Sequence, residues 1–342
     1  MVSRHILSWT HSMIHGNEPL TKEIAVKNKI QFQPGLSLSE FFYSYGTEEQ
    51  CQHTLEQSRW PGGFVCPRCG GTDPLVYQRK RVKVFQCRCC RVQTTLTEGT
   101  IFHSTKLDLR IWFQAIYFIT QNKNNISALE LKRLIGVCYR TAWRVKQKLM
   151  QVMYEREQST VLSGRVEVDD AYLGGEHPGG KPGRGSENKT PFIAAVQTNK
   201  MGNPMYAVLS PVKAFTLIDV EDWAKKSLSP FTTVVSDGMS CFNAVKKAGC
   251  SHQKEVVGYN RKSTSMECFK WVNTILGNVK NAISGTYHSF DFEKYGHRYL
   301  GEYQYRFNRR FNIAEMFPRL CFAAATSGKR PENWLRLALA DD

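Results

Sequence analysis

The chain has 342 residues, enough for two or three domains, and 42% of them are hydrophobic, which supplies a substantial core and argues against disorder. Lys and Arg outnumber Asp and Glu by 46 to 30, a formal charge of +16, so the expected partner is a polyanion, nucleic acid first. No stretch approaches the roughly 18 consecutive apolar residues of a membrane span, and the amino terminus, MVSRHILSWTHSMIHGNEP, alternates too often for a secretory signal.

Residues 1–35 carry no clear period and are read as a poorly defined tail without an assigned function. A segment at 36–100 follows, opening with a short apolar helix, LSEFFYSY, and carrying most of the chemistry that cysteine can offer. With a cytoplasmic location expected, the 11 cysteines read as thiols and metal ligands rather than disulfides. Cys66-Pro-Arg-Cys69 and Cys87-Arg-Cys-Cys90 make two C-x2-C knuckles separated by 17 residues, the spacing that lets four thiolates close a tetrahedron around one structural Zn2+. The sequence between them, LVYQRKRVKVFQ, alternates like a hairpin, so a zinc ribbon is expected, stabilised by its metal because it is too small to fold alone. Cys89 stands beside Cys90 and can replace a neighbour as ligand; the plainer alternative is reduced thiols in a turn. Arg79, Lys80, Arg81, Lys83, Arg88 and Arg91 place six cations and no acid in thirteen residues, which suits phosphates without reading bases, or a solvated face.

Residues 101–160 read as helical. Ile111, Trp112, Ala115, Ile116 and Ile119 recur at helical spacing, as do Leu129, Leu131 and Leu134, until Gly136 interrupts. A basic amphipathic helix resumes from Tyr139 to Met153, so the order is helix, short turn, basic helix, that of a helix-turn-helix. Arg140 and Arg144 share a face suited to DNA, with Trp143 and Val145 turned toward packing. Helix pairs of this kind also occur purely as packing elements.

The text changes in 161–342 to short β-branched runs, VEVDDAYL, PFIAAVQT, PMYAVLS and TTVVSD, followed by alternating helix and strand. This predicts an α/β domain with a mixed sheet and helices on both faces. Gly174 to Gly185, GGEHPGGKPGRG, reads as a flexible loop that reaches DNA through Lys181, Arg184 and Lys189, or is simply flexible. Its run from Gly175 to Lys181 resembles a phosphate loop, but Pro182 stands where Ser or Thr must hold Mg2+, so no nucleotide cofactor is expected.

Asp169 and Asp237 lie at strand ends, rigid platforms for ligands to a hard cation such as Mg2+. An Asp before Gly, as at Asp237, is also an ordinary turn former. Asp169 and Asp170 should point to opposite faces, leaving only one able to share a site with Asp237, and parity does not choose between them. In CFKWVNTILGNVKNAI, Val272, Ile275, Leu276, Val279 and Ile283 form the buried stripe, while Asn273, Gly277 and Lys280 share a polar face. There Asn273 offers a carbonyl oxygen to metal, Gly277 a gap for a DNA backbone and Lys280 a charge for phosphate; a solvated helix side is the alternative. The stretch Tyr295 to Asn308 is aromatic, basic and helical, and Arg306, Arg309 and Arg310 suit phosphate binding or subunit contact. His177 and His288 are left without a role, since metal-driven phosphoryl transfer needs neither.

Read together, YGTEEQC, WPGGFVCPRCG, CRCCRVQTTLTEGTIF, VEVDDAYLGG, VVSDG, WVNTILGNVKNAISGTYHSF and YRFNRRFN make the chain, from about Leu36 to Ala340, resemble the zinc-ribbon DDE-type transposases of bacterial insertion sequences, in the branch with an Asp-Asp-Asn-Lys set. The resemblance implies a ribonuclease-H-like catalytic domain, with Asp169 preferred over Asp170, Asp237 as second ligand, Asn273 where related enzymes carry Glu, and Lys280 after it. It further implies two catalytic Mg2+, replaceable by Mn2+, in-line attack by water at an element end, and attack of the freed 3′-hydroxyl on target DNA. Duplex DNA and a homodimer or higher synaptic oligomer, associated with the nucleoid, are the implied partners. Asn273 brings less charge than Glu would, so Asn suffices, or an acid such as Glu267 assists, or activity is weakened. A DNA-binding regulator that keeps ribbon and helices but no chemistry is the rival reading.

Overall fold

The computed structural model describes residues 32–79, 82–174, 189–255, 266–288 and 290–337, and residues 34–342 form one unit. Its first helices start where the sequence supplies reciprocal caps. Ser37 opens α1 (Leu38–Tyr45) against Glu40, and Thr47 opens α2 (Glu48–Arg59) against Gln50; in each pair the side chains cap each other's backbone N–H. The alternating segment folds as the expected hairpin, β1 (Pro74–Arg79) and β2 (Val82–Cys87), and a third antiparallel strand that its pattern did not predict, β3 (Gln93–Thr95), joins beyond the second knuckle.

Three helices follow: α3 (Leu109–Gln121), α4 (Ala128–Ile135) and α5 (Tyr139–Glu157). Gly136 closes α4 in the left-handed region at φ 68°, where its N–H caps the Lys132 carbonyl and a side chain would be strained. Trp112, Ala115, Ile116 and Ile119 are buried as their spacing predicts, but in α4 the buried pair is Leu131 and Ile135, whereas Leu129 and Leu134 face solvent.

The second half is built on a mixed sheet of order β6-β5-β4-β7-β8. Its strands are β4 (Arg165–Leu173), β5 (Thr190–Thr198), β6 (Pro204–Pro211), β7 (Thr233–Ser236) and β8 (Ser251–Lys254). β5 runs antiparallel to both β4 and β6, while β7 and β8 lie parallel to β4. Val166 and Val168 of β4 pack toward α6 (Leu217–Ser227) and the 3-10 helix Ser240–Ala248. Ala171 and Leu173, one residue out of phase, pack toward α7 (Lys270–Ala282) and α8 (Phe292–Asn308). This period-two alternation covers both faces with helices, as the β-branched runs predict.

After α8 the chain returns to its first half. α9 (Met316–Thr326) inserts Phe317, Leu320 and Cys321 into the core built by α1, α2, α3 and α5, and the short α10 (Glu332–Leu335) ends the described chain. Between the halves, α5 and α8 touch closely: a Cβ on Gly301 would lie 2.8 Å from Tyr154 Cβ, so only glycine permits that crossing. The same seam is polar. Buried Lys146 donates to buried Glu302 at 2.9 Å, Tyr287 donates to the same carboxylate oxygen at 2.7 Å, and Arg298 donates to Gln151 at 2.8 Å and Gln147 at 3.2 Å. Among the described residues, no helix is long and apolar enough to cross a membrane.

Candidate metal centres

Cys66, Cys69, Cys87 and Cys90 bring their Sγ atoms within 4.8 Å of one another. Two positions come from the knuckle before β1, one from the end of β2 and one from the turn beyond it, so the hairpin folds the pairs together. Sulfur contacts of 3.5 Å join Cys66 to Cys90 and Cys69 to Cys87. The backbone amides of Cys69 and Arg68 point at Cys66 and lower its thiol to about 6, favouring the thiolate that a metal requires. Cys89 is exposed and outside this group, so Cys90 holds the fourth corner. Four converging soft ligands fit Zn2+.

A second convergence lies at the edge of the mixed sheet. Asp169, Asp170 and Asp237 each present an oxygen within 4.8 Å of the others. β4 pairs with β7 only as far as Val168 opposite Ser236, so continuing that register by one residue sets Asp169 beside Asp237, on the face that α7 covers. The expectation that Asp169 and Asp170 could not share this site is corrected. Past Val168 the strand has lost its β7 neighbour, and a carboxylate from the opposite face reaches around the open edge. Asp169 accepts from the Asp170 N–H at 2.9 Å, and Asp237 from the Met239 N–H at 3.0 Å, which orients both. Burial, then the charges of Asp170 and Asp237, push Asp169 up to about 7, with Lys280 acting weakly in the opposite sense. Crowded acids of this kind fit a hard divalent cation, whose charge relieves their repulsion.

Glu167, which sequence reasoning passed over, fixes α7 against this edge. It is 1% exposed, takes Arg165 at 3.0 Å, and accepts the Trp271 and Val272 N–H groups at 2.8 and 3.0 Å. Those are free donors of the first helical turn, so a carboxylate there also meets the positive end of the helix dipole. Asn273 is the next residue, two positions along β4 from Glu167 lies Asp169, and Lys280 two turns further is exposed yet close enough to act on Asp169. Gly277 on the same polar face is exposed, with nothing within 4 Å of a notional Cβ. Glu267 lies in a 3-10 turn before α7 and outside the acidic group.

The candidate phosphate contacts divide. Arg79 is exposed at the end of β1, whereas Lys83 pairs with Glu56. Lys80, Arg81, Lys181 and Arg184 lie outside the described residues. Arg140 and Arg144 project from α5 and both meet Glu332 of α10, at 3.2 and 3.4 Å. The guanidinium groups of α8 and its following turn are committed to the chain itself. Arg306 donates to the Asn122 and Lys123 carbonyls, Arg309 pairs with Glu157 and stacks on Tyr305, and Arg310 donates to Pro204 and Met205. Tyr305 apart, nothing local in the sequence marks these partners, since each lies about a hundred residues or more away along the chain.

Residues 161–308 match the family described as ISXO2-like transposase domain, and residues 46–93 match the one described as transposase zinc-ribbon domain. An uncharacterized protein in transposable element ISH50 of Halobacterium salinarum is 30% identical over 131 residues, 38% of this chain and 43% of that protein. The chain therefore spans less than half the length of that relative. Among solved structures, the Mos1 strand transfer complex is 12% identical over 64% of this chain and 78% of that chain, with a TM-score of 0.20. A pre-cleavage Mos1 transpososome is 9% identical over 64% and 79%, with a TM-score of 0.18. Likenesses that distant carry no argument about this molecule.

Proposed function

We propose that this chain, which carries a transposase zinc-ribbon domain followed by an ISXO2-like transposase domain, binds the ends of a mobile DNA element and catalyses divalent-metal-dependent phosphodiester hydrolysis and strand transfer. The observation that carries the reading is the meeting of Asp169, Asp170 and Asp237 at the edge of the sheet. Sheet order β6-β5-β4-β7-β8, with Asp169 on the central strand and Asp237 just after its neighbour β7, supports a ribonuclease-H-like assignment for 161–342.

Asp169 and Asp237 would hold the cations, with Asn273 offering its amide oxygen from α7. Asp170 supplies the further negative charge that Asn273 lacks, so the amide does not leave the site underfilled. Bound there, two Mg2+ or Mn2+ supply Lewis acidity to the scissile phosphate and ready a hydroxyl or water for in-line attack. Glu167 holds the first turn of α7 to β4, so the amide and the acids keep a fixed relation. Lys280, exposed on the same helix, would hold a non-bridging phosphate oxygen as a point charge, and the gap at Gly277 admits the backbone. The Cys66, Cys69, Cys87 and Cys90 group would hold Zn2+ and set the hairpin bearing Arg79 against DNA. The α4–Gly136–α5 unit would serve as a helix-turn-helix, and two copies of the chain would bring two element ends together.

A strand-transfer assay with the element's own ends tests this. Wild type should yield product with Mg2+ or Mn2+, Asp169→Ala and Asp237→Ala should lose at least about a hundredfold, and Asn273→Ala should lose less. Undiminished product from all three variants, or DNA binding without cleavage by wild type, would end the proposal.

A further inference from the structure

A large cavity of the described chain lies away from the acids. It encloses about 590 Å³ between the turn at His103–Leu107, Trp112 of α3, the outer face of α5 and the segment Lys329–Glu332. Lys106, Arg144, Lys148, Lys329 and Arg330 line it, against a single carboxylate, Glu332. Some of this charge is answered elsewhere: Arg330 pairs with Glu155 at 2.7 Å, and His103 with Glu98 at 3.2 Å. Lys148 donates to the Ile101 carbonyl, and burial, then the charge of Arg144, lowers its ammonium to about 8. Lys106, Lys148 and Lys329 form no ion pair among the described residues.

At the mouth of this cleft Glu332 is gripped from three sides. Arg140 approaches at 3.2 Å, Arg144 at 3.4 Å and Arg336 at 3.0 Å, and the carboxylate side chain is 17% exposed. Three planar forks crowd the two oxygens of one carboxylate, and a phosphodiester presents two anionic oxygens of the same reach, so it can take the same place among the guanidiniums. Behind it, Lys106 and Lys329 pair with no acid among the described residues. Glu332 itself sits on a four-residue helix whose Leu335 carbonyl is held by Arg298 at 2.7 Å, so its release needs a side-chain rotation and no unfolding.

We propose that this cleft binds the phosphodiester backbone of duplex DNA, and that Glu332 occupies its anion position when DNA is absent, holding Arg140 and Arg144 until a phosphate displaces it. The inference rests on the DNA-processing reading above and adds to it a second contact surface, formed jointly by α5 and the C-terminal segment, together with an intrinsic competitor for it.

The test uses the full chain, a labelled 40-base-pair duplex and its dissociation constant at several salt concentrations, alongside thermal melting. Glu332→Gln keeps the shape and removes the charge. It should tighten DNA binding by about three- to tenfold while lowering the melting temperature, because three arginines lose their partner without DNA and gain a phosphate with it. Lys106→Gln combined with Lys329→Gln should weaken binding and flatten the dependence of log Kd on log salt by about 2, one for each cation. If Glu332→Gln leaves affinity unchanged, or lowers affinity and melting temperature together, Glu332 is a structural pair and the inference is overturned while DNA processing stands. Should neither wild type nor Glu332→Gln bind any duplex, both readings fall.

Discussion

Asp169 concentrates the chemistry of the site in one side chain. Its carboxyl is pushed to about 7 by burial and by the charges of Asp170 and Asp237. An acid whose pKa is higher folded than unfolded contributes stability that is complete at low pH and disappears as pH rises through the folded value. Without divalent cation the protein should therefore lose stability between about pH 4 and 7 on this account. Asp169→Asn, which fixes the uncharged form, should unfold at higher urea than wild type at pH 8, by on the order of 1–3 kcal/mol, and show little difference at pH 5. Added Mn2+ should abolish that advantage by stabilising only the wild type. A variant less stable than wild type at pH 8 without metal would show that the carboxylate charge is not under strain. At this scale the sequence was informative where a side chain acts beside its own neighbours. The cysteine knuckles are visible in their spacing and Asp237 does follow its strand directly, whereas Asp169, read as strand-terminal, lies midway along β4 opposite Ala194, because the strand continues to Leu173. Glu167 and Glu332 were not, because their partners lie at 271 and 272, and at 140 and 144, and no local pattern announces a contact of that range.

Among the elements, α7 has the most demanding task under the proposed function, since it would have to present Asn273 and Lys280 to the acids of β4 and β7. Its docking is settled by one buried carboxylate at its first turn and by the stripe Val272, Ile275, Leu276 and Val279. That stripe is readable from helical period alone. The position of Gly277 is more telling, for glycine within a helix costs stability and here nothing internal requires it. Gly277→Ala should raise folding stability by about 0.5–1 kcal/mol and lower strand transfer several-fold, because the methyl group stands where the backbone would pass. An increase in both quantities would remove the argument for close DNA approach along this face. The sheet was legible in the same way as α7: β-branched runs give the strands, and two-residue alternation gives the two covered faces. What alternation could not give was the reach of Asp170, because parity assumes a strand with neighbours on both sides and β4 has lost one by that point.

Taken whole, the molecule holds its two candidate metal centres together through long-range returns of the chain. α9 completes the core begun by α1, α2 and α3, and α5 meets α8 along a seam of buried charge in which Lys146, Glu302 and Tyr287 share one cluster. Such a seam is sensitive to register, since removal of either partner strands a buried charge. It also ties the basic helix α5 to the π turn Ile283–Tyr287 that continues α7, so the candidate DNA-contacting helix and the candidate catalytic helix share a support. The surplus of +16 envelops this frame and makes a polyanionic partner physically natural, but the acids are where the account stands or falls. Mn2+ binding measured by electron paramagnetic resonance at pH 8 tests them most directly. Wild type should take up Mn2+ at the sheet edge, and Asp169→Ala and Asp237→Ala should each weaken uptake by about tenfold or more. Equal binding by wild type and both variants would contradict the site.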